Sequence, residues 1–154
     1  MKKSKADLLS RLSQGCLGWA LSAIEDDGFL EHRLEDINMI SSLMSSGIEK
    51  RFTFAVNMAN EVSRDRQAIE KYFSNAYSWW RDLMHVVANC QEAVVNIDYM
   101  AILEEQAKSL SLTDVKNYID KLYSTEAQIS KNVNTRLAFE SLMLNMPIVN
   151  VPVR

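Results

Sequence analysis

Very few residues of this chain have the types and spacing that catalysis or metal binding requires. The two histidines, His32 and His85, are isolated, and only Asp82-x-x-His85 places a carboxylate and an imidazole on one helical face. Metal sites in helical bundles combine carboxylates with Glu-x-x-His motifs on several helices. One copy of the spacing therefore favours a surface or interface pair, and a metal-dependent bundle enzyme would need carboxylates from several helices to converge.

Nucleophilic and nucleotide chemistry are equally poorly supported. Cys16 and Cys90 have no neighbouring histidine to act as a base, and they form no Cys-x-x-Cys pair. With no secretory pattern at the start, they are typical of two buried or half-buried thiols in a cytoplasmic protein. The chain also lacks a Gly-x-x-x-x-Gly-Lys-Ser/Thr phosphate loop. We therefore expect no active site, no cofactor and no metal.

The composition indicates a helical domain. Both prolines of the 154 residues, Pro147 and Pro152, follow the last predicted helix, which favours an all-α bundle. A chain of this size can bury about two-thirds of its unfolded surface in one core. The formal net charge of −3 disfavours direct nucleic-acid contact, and the apolar runs are too short to cross a membrane.

The long helix predicted over about residues 64–89 carries the clearest apolar stripe. Its members recur at three- and four-residue steps: Ile69, Tyr72, Phe73, Ala76, Trp80, Leu83, Met84 and Val87. Trp79 widens the stripe, so we expect this helix to contact more than one neighbour. Two further helices are predicted before it, at residues 28–46 and 48–62, and shorter ones at residues 6–12 and 17–26.

Polar caps mark the starts of three later helices. Asp98 is predicted to cap one of them, Ser111 and Asp114 form a capping-box pattern for the next, and Asn134 suits the last. The last helix is apolar around most of its circumference, at Leu137, Ala138, Phe139, Leu142, Met143, Leu144 and Met146. Such a helix is either central or shared with a partner.

Several of these pieces together resemble the C-terminal region of bacterial clamp-loader subunits. They read Trp-Trp-Arg-Asp-Leu-Met at residues 79–84, Asn-Ile-Asp at residues 96–98 and Asn-x-Asn-x-Arg-Leu-Ala-Phe-Glu-Ser-Leu-Met-Leu at residues 132–144. The resemblance is closest to the delta-prime subunits of DNA polymerase III. Residues 12–21 also resemble the Gly-x-x-Gly-x-Ala segment that closes the lid of the ATPase module.

The resemblance implies a domain organisation and a role. It implies the end of an ATPase lid at residues 1–27, a helical collar at residues 28–146 and a tail at residues 147–154. Five such collars would form a disc that holds the ATPase modules together while they load a sliding clamp on primed DNA. ATP-hydrolysing members of the resembled family carry an arginine where this chain has Trp19, which cannot donate a charged fork to phosphate. We interpret Trp19 itself as a packing residue at a helix start. We therefore interpret the chain as a fragment of a longer protein that does not use nucleotide as the motor subunits do.

The expected partners are the other clamp-loader subunits, with no small-molecule substrate, nucleic acid or membrane. Candidate interface residues on the last helix are Phe139, Met143 and Met146. An alternative is an autonomous helical bundle that binds a small effector, as the ligand domain of a transcriptional regulator does. A convergent polar set inside a sizeable pocket would favour that alternative.

Overall fold

The structure, a computed structural model, describes residues 3–13 and 29–149. In those two ranges the helices are connected by turns and loops, and no strand occurs. Seven α-helices are described: α1 (Lys3–Leu12), α2 (Phe29–Met44), α3 (Ile48–Arg64), α4 (Gln67–Val87), α5 (Met100–Ala107), α6 (Leu112–Ser130) and α7 (Thr135–Asn145). Two 3-10 turns, Gln91–Ala93 and Ile97–Tyr99, lie in the connection between α4 and α5, which we name the 88–99 loop. The predicted all-α fold is confirmed. Cys16, Trp19 and the predicted helix at residues 17–26 lie outside the described residues.

The long helix α4 is the centre of the bundle. It packs against α2, α3, α5 and α6, while α7 packs against α3 and α6. Both tryptophans of the predicted stripe, Trp79 and Trp80, are completely buried, as is Leu83, whereas Val87 is only partly buried. The prediction that this helix contacts more than one neighbour is therefore confirmed, because the adjacent side chains of Trp79 and Trp80 pack against different parts of the bundle. Trp79 meets Tyr99 edge-on and Trp80 lies against Tyr118.

Two of the three predicted helix caps are confirmed. Ser111 and Asp114 form a reciprocal capping box at the start of α6, and the Asn134 side chain accepts a hydrogen bond from the Leu137 N–H at the start of α7. The prediction for Asp98 is wrong. It lies in a 3-10 turn before α5, and its carboxylate binds the guanidinium of Arg33 instead.

The residues described after α7 include one that is packed on the bundle. Val149 is buried, and its backbone N–H donates to the Met44 carbonyl oxygen at 3.0 Å. Val149, a residue of the predicted tail, is thus packed against the end of α2.

Candidate subunit interface

The inner face of α7 completes the core of the bundle. Phe139, Met143 and Met146, the interface candidates chosen from the sequence, are all buried within the chain. Phe139 stacks on Phe73 with ring centroids 6.0 Å apart and meets Tyr72 edge-on. The three interface candidates are therefore corrected to core residues of this chain, because their side chains are packed inside the bundle.

The outer face of α7 carries the apolar residues that remain exposed. Leu137 is 60% exposed and Leu144 is 61% exposed, and they are seven residues apart, so they lie on the same side of the helix. Ile148, just after the helix, is 70% exposed. We name Leu137, Leu144 and Ile148 the α7 outer surface. That the last helix contacts another subunit, as the sequence led us to expect, stays a prediction.

Polar side chains border the α7 outer surface. Arg136 donates from Nε to Glu140 at 2.8 Å one turn along the helix, and Lys121 of α6 donates to the Ser141 hydroxyl at 2.9 Å. These groups satisfy one another on the exposed side of the bundle. Apolar residues surrounded by polar ones are the usual arrangement of a protein contact surface.

The sequence motif at residues 79–84 has a second, polar function that sequence reasoning missed. Asp82 is completely buried and accepts hydrogen bonds from the backbone N–H of Val95 (3.0 Å), the backbone N–H of Asn96 (2.7 Å) and the Asn96 side-chain amide (2.7 Å). The expectation that Asp82 forms a surface or interface pair with His85 is thus wrong, because Asp82 is completely buried. Its carboxylate instead fixes the 88–99 loop to α4.

Arg33 of α2 continues this buried polar network. Its guanidinium donates two hydrogen bonds to the Asp98 carboxylate, at 2.8 and 3.1 Å, and one to the Asn96 side-chain oxygen at 2.5 Å. The bidentate geometry is the strong form of an arginine–carboxylate pair. The Asn-Ile-Asp turn at residues 96–98 is therefore one of the points where α2 and α4 are tied together.

A cavity of about 830 Å³ lies beside this network, and part of its wall is formed by α2, α4 and α6. The lining includes Arg33 and Lys71 together with the stacked rings of Tyr77 and Tyr123, whose centroids are 4.6 Å apart. Both of these cations are engaged by carboxylates, Lys71 by Asp36 at 3.0 Å and Arg33 by Asp98. The positive charges of Arg33 and Lys71 in the cavity wall are thus already paired with carboxylates of the protein.

Chemical sites of other kinds are not evident in the described part of the chain. Across residues 3–13 and 29–149, no group of three or more His, Cys, Asp or Glu side chains is placed to hold a metal ion. No helix in those ranges is long and apolar enough to cross a membrane. Cys90 is a half-buried free thiol, as predicted for it.

A comparison with protein families gives the class of this helical domain. Residues 55–147 match the family described as DNA polymerase III, delta subunit, C terminal. The match covers more than half of the chain and runs from the middle of α3 to Pro147. It includes both motifs, at residues 79–98 and 132–144. The chain belongs to this family, and its domain is therefore a domain of a clamp-loader subunit. Comparisons with curated proteins and with solved structures gave no significant match.

Proposed function

We propose that this chain is the collar region of a delta-prime-like subunit of DNA polymerase III. In this role it binds the collars of other clamp-loader subunits and so holds together the ATP-driven complex that places the sliding clamp on primed DNA. The family match supports the clamp-loader role, and the resemblance of residues 79–98 and 132–144 supports the delta-prime assignment. The function is assembly rather than catalysis.

The observation that carries the assembly role is the α7 outer surface. Leu137 and Leu144 are exposed on a helix whose opposite face is fully used in the core. Covering a leucine side chain stabilises a complex by about 1.5–3 kcal/mol relative to leaving it in water. A helix that completes the core on one side and offers two leucines on the other is suited to joining its own domain to a neighbour.

Co-purification tests the proposal. The complete natural reading frame that contains this chain is co-expressed with the other loader subunits, and the complex is isolated by size exclusion. We expect one stable hetero-oligomer, and we expect it to be lost when residues 29–149 are removed. A loader that assembles equally well without this domain would overturn the proposal.

A second candidate function, binding of a small effector, is supported by the cavity of about 830 Å³. That volume is within the range of small-ligand pockets, about 300–1,000 Å³. Titration with the anionic dye anilinonaphthalene sulfonate distinguishes the two functions. Saturable binding that Tyr123→Ala abolishes would favour the effector site, while binding unchanged by that variant would remove it.

A further inference from the structure

We infer that the 88–99 loop is a docking surface for α1, and that the buried Asp82 holds α1 in place through this loop without touching it. Arg11, in the last turn of α1, donates from one nitrogen, Nη1, to the carbonyl oxygens of Glu92 and Val94, each at 2.9 Å. These two bonds join residues that are 81 and 83 positions apart in the sequence. They are charge-assisted bonds to neutral acceptors, which are stronger than bonds between two neutral groups.

One of the two acceptor carbonyls, that of Val94, is held in place by Asp82. The Val94 carbonyl belongs to the same peptide unit as the Val95 N–H, and that N–H donates to the Asp82 carboxylate. The Asn96 N–H makes the next bond to the same carboxylate. One peptide plane therefore carries the Arg11 bond on its oxygen and the Asp82 bond on its nitrogen. Moving the Asp82 anchor would tilt the plane and misplace the acceptor.

The far end of the loop is fixed just as firmly. Asn96 is fully buried and donates from its side chain to the Ser78 hydroxyl at 3.0 Å as well as to Asp82. Arg33 binds both Asn96 and Asp98 from α2. The loop thus presents its carbonyls to α1 in a preorganised arrangement, and little conformational entropy remains to be lost when Arg11 binds.

Helix α1 needs this surface because it is short. It has ten residues, whereas isolated helices shorter than about 12–15 residues are marginal in water. Besides the Arg11 bonds, its described attachments are Leu9, which is 2% exposed, and Leu12, which lines the cavity beside α2 and α4. The helical state of α1 should therefore report directly whether it is docked on the bundle.

This coupling deepens the proposed function, and its meaning for a clamp loader rests on that function. In the proposed clamp-loader subunit, α1 belongs to the lid end of the chain and α4 belongs to the collar. The peptide plane between Val94 and Val95 would then be the contact through which the orientation of the lid is fixed relative to the collar. Coupling between α1 and Asp82 itself follows from the contacts alone, so it can be tested apart from any role in a clamp loader.

Amide hydrogen exchange of the 154-residue chain tests the inference. In Asp82→Asn we expect the α1 amides near Leu9 and the Ser13 amide to exchange about tenfold faster or more, the effect of weakening a charge-assisted bond. Arg11→Gln should accelerate the same amides. Reciprocity requires Arg11→Gln also to increase exchange at the Val95 N–H.

Leu83→Ala is the matched control for Asp82→Asn, since it weakens the core at the next residue of α4 but removes no hydrogen bond to the loop. We expect it to leave exchange of α1 under native conditions unchanged. Unchanged α1 exchange in a folded Asp82→Asn variant, or in Arg11→Gln, would overturn the inference. If Asp82→Asn does not fold, Arg11→Gln alone decides it, because Arg11 is exposed and its loss leaves the core intact.

Discussion

The guanidinium of Arg51 donates a hydrogen bond of 2.6 Å to the backbone carbonyl of Met146, 95 residues later in the chain. Arg51 is buried, and it also donates to the carbonyl oxygens of Leu43, Met44, Met143 and Pro147. The last turns of α2 and α7 leave carbonyls without helical partners, and one side chain of α3 satisfies those of both helices. The positive charge also lies at the negative ends of the two helix dipoles. Burial lowers the pKa of Arg51.

Replacing Arg51 should destabilise the whole bundle. Arg51→Met keeps the aliphatic length of the side chain but removes the donor of the Met146 and Pro147 carbonyl oxygens, for which the described residues provide no other donor. We expect the free energy of unfolding to fall by at least about 1–3 kcal/mol, the cost of a single buried unsatisfied group. Urea unfolding measures it. Arg136→Met, which removes only an exposed pair with Glu140, is the control and should change stability by about 0.5 kcal/mol or less.

Leu83 tests the central stripe of α4. Its side chain is completely buried, so Leu83→Ala removes core volume that the surrounding helices cannot fully reclaim. We expect a loss of about 2–5 kcal/mol, measured by thermal or denaturant unfolding. A variant as stable as the natural chain would show that α4 is not packed as described.

Stability should decline at alkaline pH because buried phenols resist ionisation. Burial raises the pKa of Tyr72 and Tyr118, and the pKa of Tyr77 is raised by burial and by its hydrogen bond to the Glu126 carboxylate. The unfolded chain ionises first, near pH 10. This contribution to stability is therefore complete below about pH 10 and is lost as the pH rises towards the folded pKa values.

Unfolding by urea at a series of alkaline pH values, with phenolate absorbance as a second signal, checks this expectation. Tyr118→Phe keeps the ring and removes the ionisable hydroxyl, so its stability should fall less steeply with pH. Ionisation of all five tyrosines near pH 10 in the folded chain would contradict the account.

The chain should neither bind nor hydrolyse ATP, since its sequence contains no phosphate loop and has Trp19 where relatives place an arginine. Calorimetric titration of ATP into the 154-residue chain should give only heats of dilution. Micromolar affinity would show that a different kind of nucleotide site is present.

Local signals in the sequence were sufficient for most of the fold. The capping box at Ser111 and Asp114 and the cap at Asn134 were predicted correctly because both partners of each bond lie within a few residues. The cap at Asp98 was wrong because Arg33, 65 residues away, provides a stronger partner for the carboxylate. Sequence pattern cannot reveal such a competitor before the chain has folded.

The buried charges were beyond prediction for a related reason. Asp82 and Arg51 bind mainly backbone groups, which every residue possesses, so no particular residue type marks their partners. The apolar residues around α7 correctly indicated that this helix has apolar side chains on more than the one face that packs in the core. It did not show which residues face inwards, and Phe139 and Met143 proved to be core residues whereas Leu137 and Leu144 are exposed.

The most direct test of the collar proposal is assembly of the loader with a subunit that carries Leu137→Glu and Leu144→Glu. Both side chains are exposed, so the variant should fold with an unchanged helical content and melting temperature. We expect its binding to the other loader subunits to weaken about tenfold or more, the effect of losing buried leucine contacts. The control carries Leu34→Glu and Ile102→Glu, two changes on α2 and α5 at residues that are 39% and 40% exposed, and should assemble normally. Normal assembly of the folded Leu137→Glu, Leu144→Glu variant would contradict the account, because α7 would then serve only its own domain.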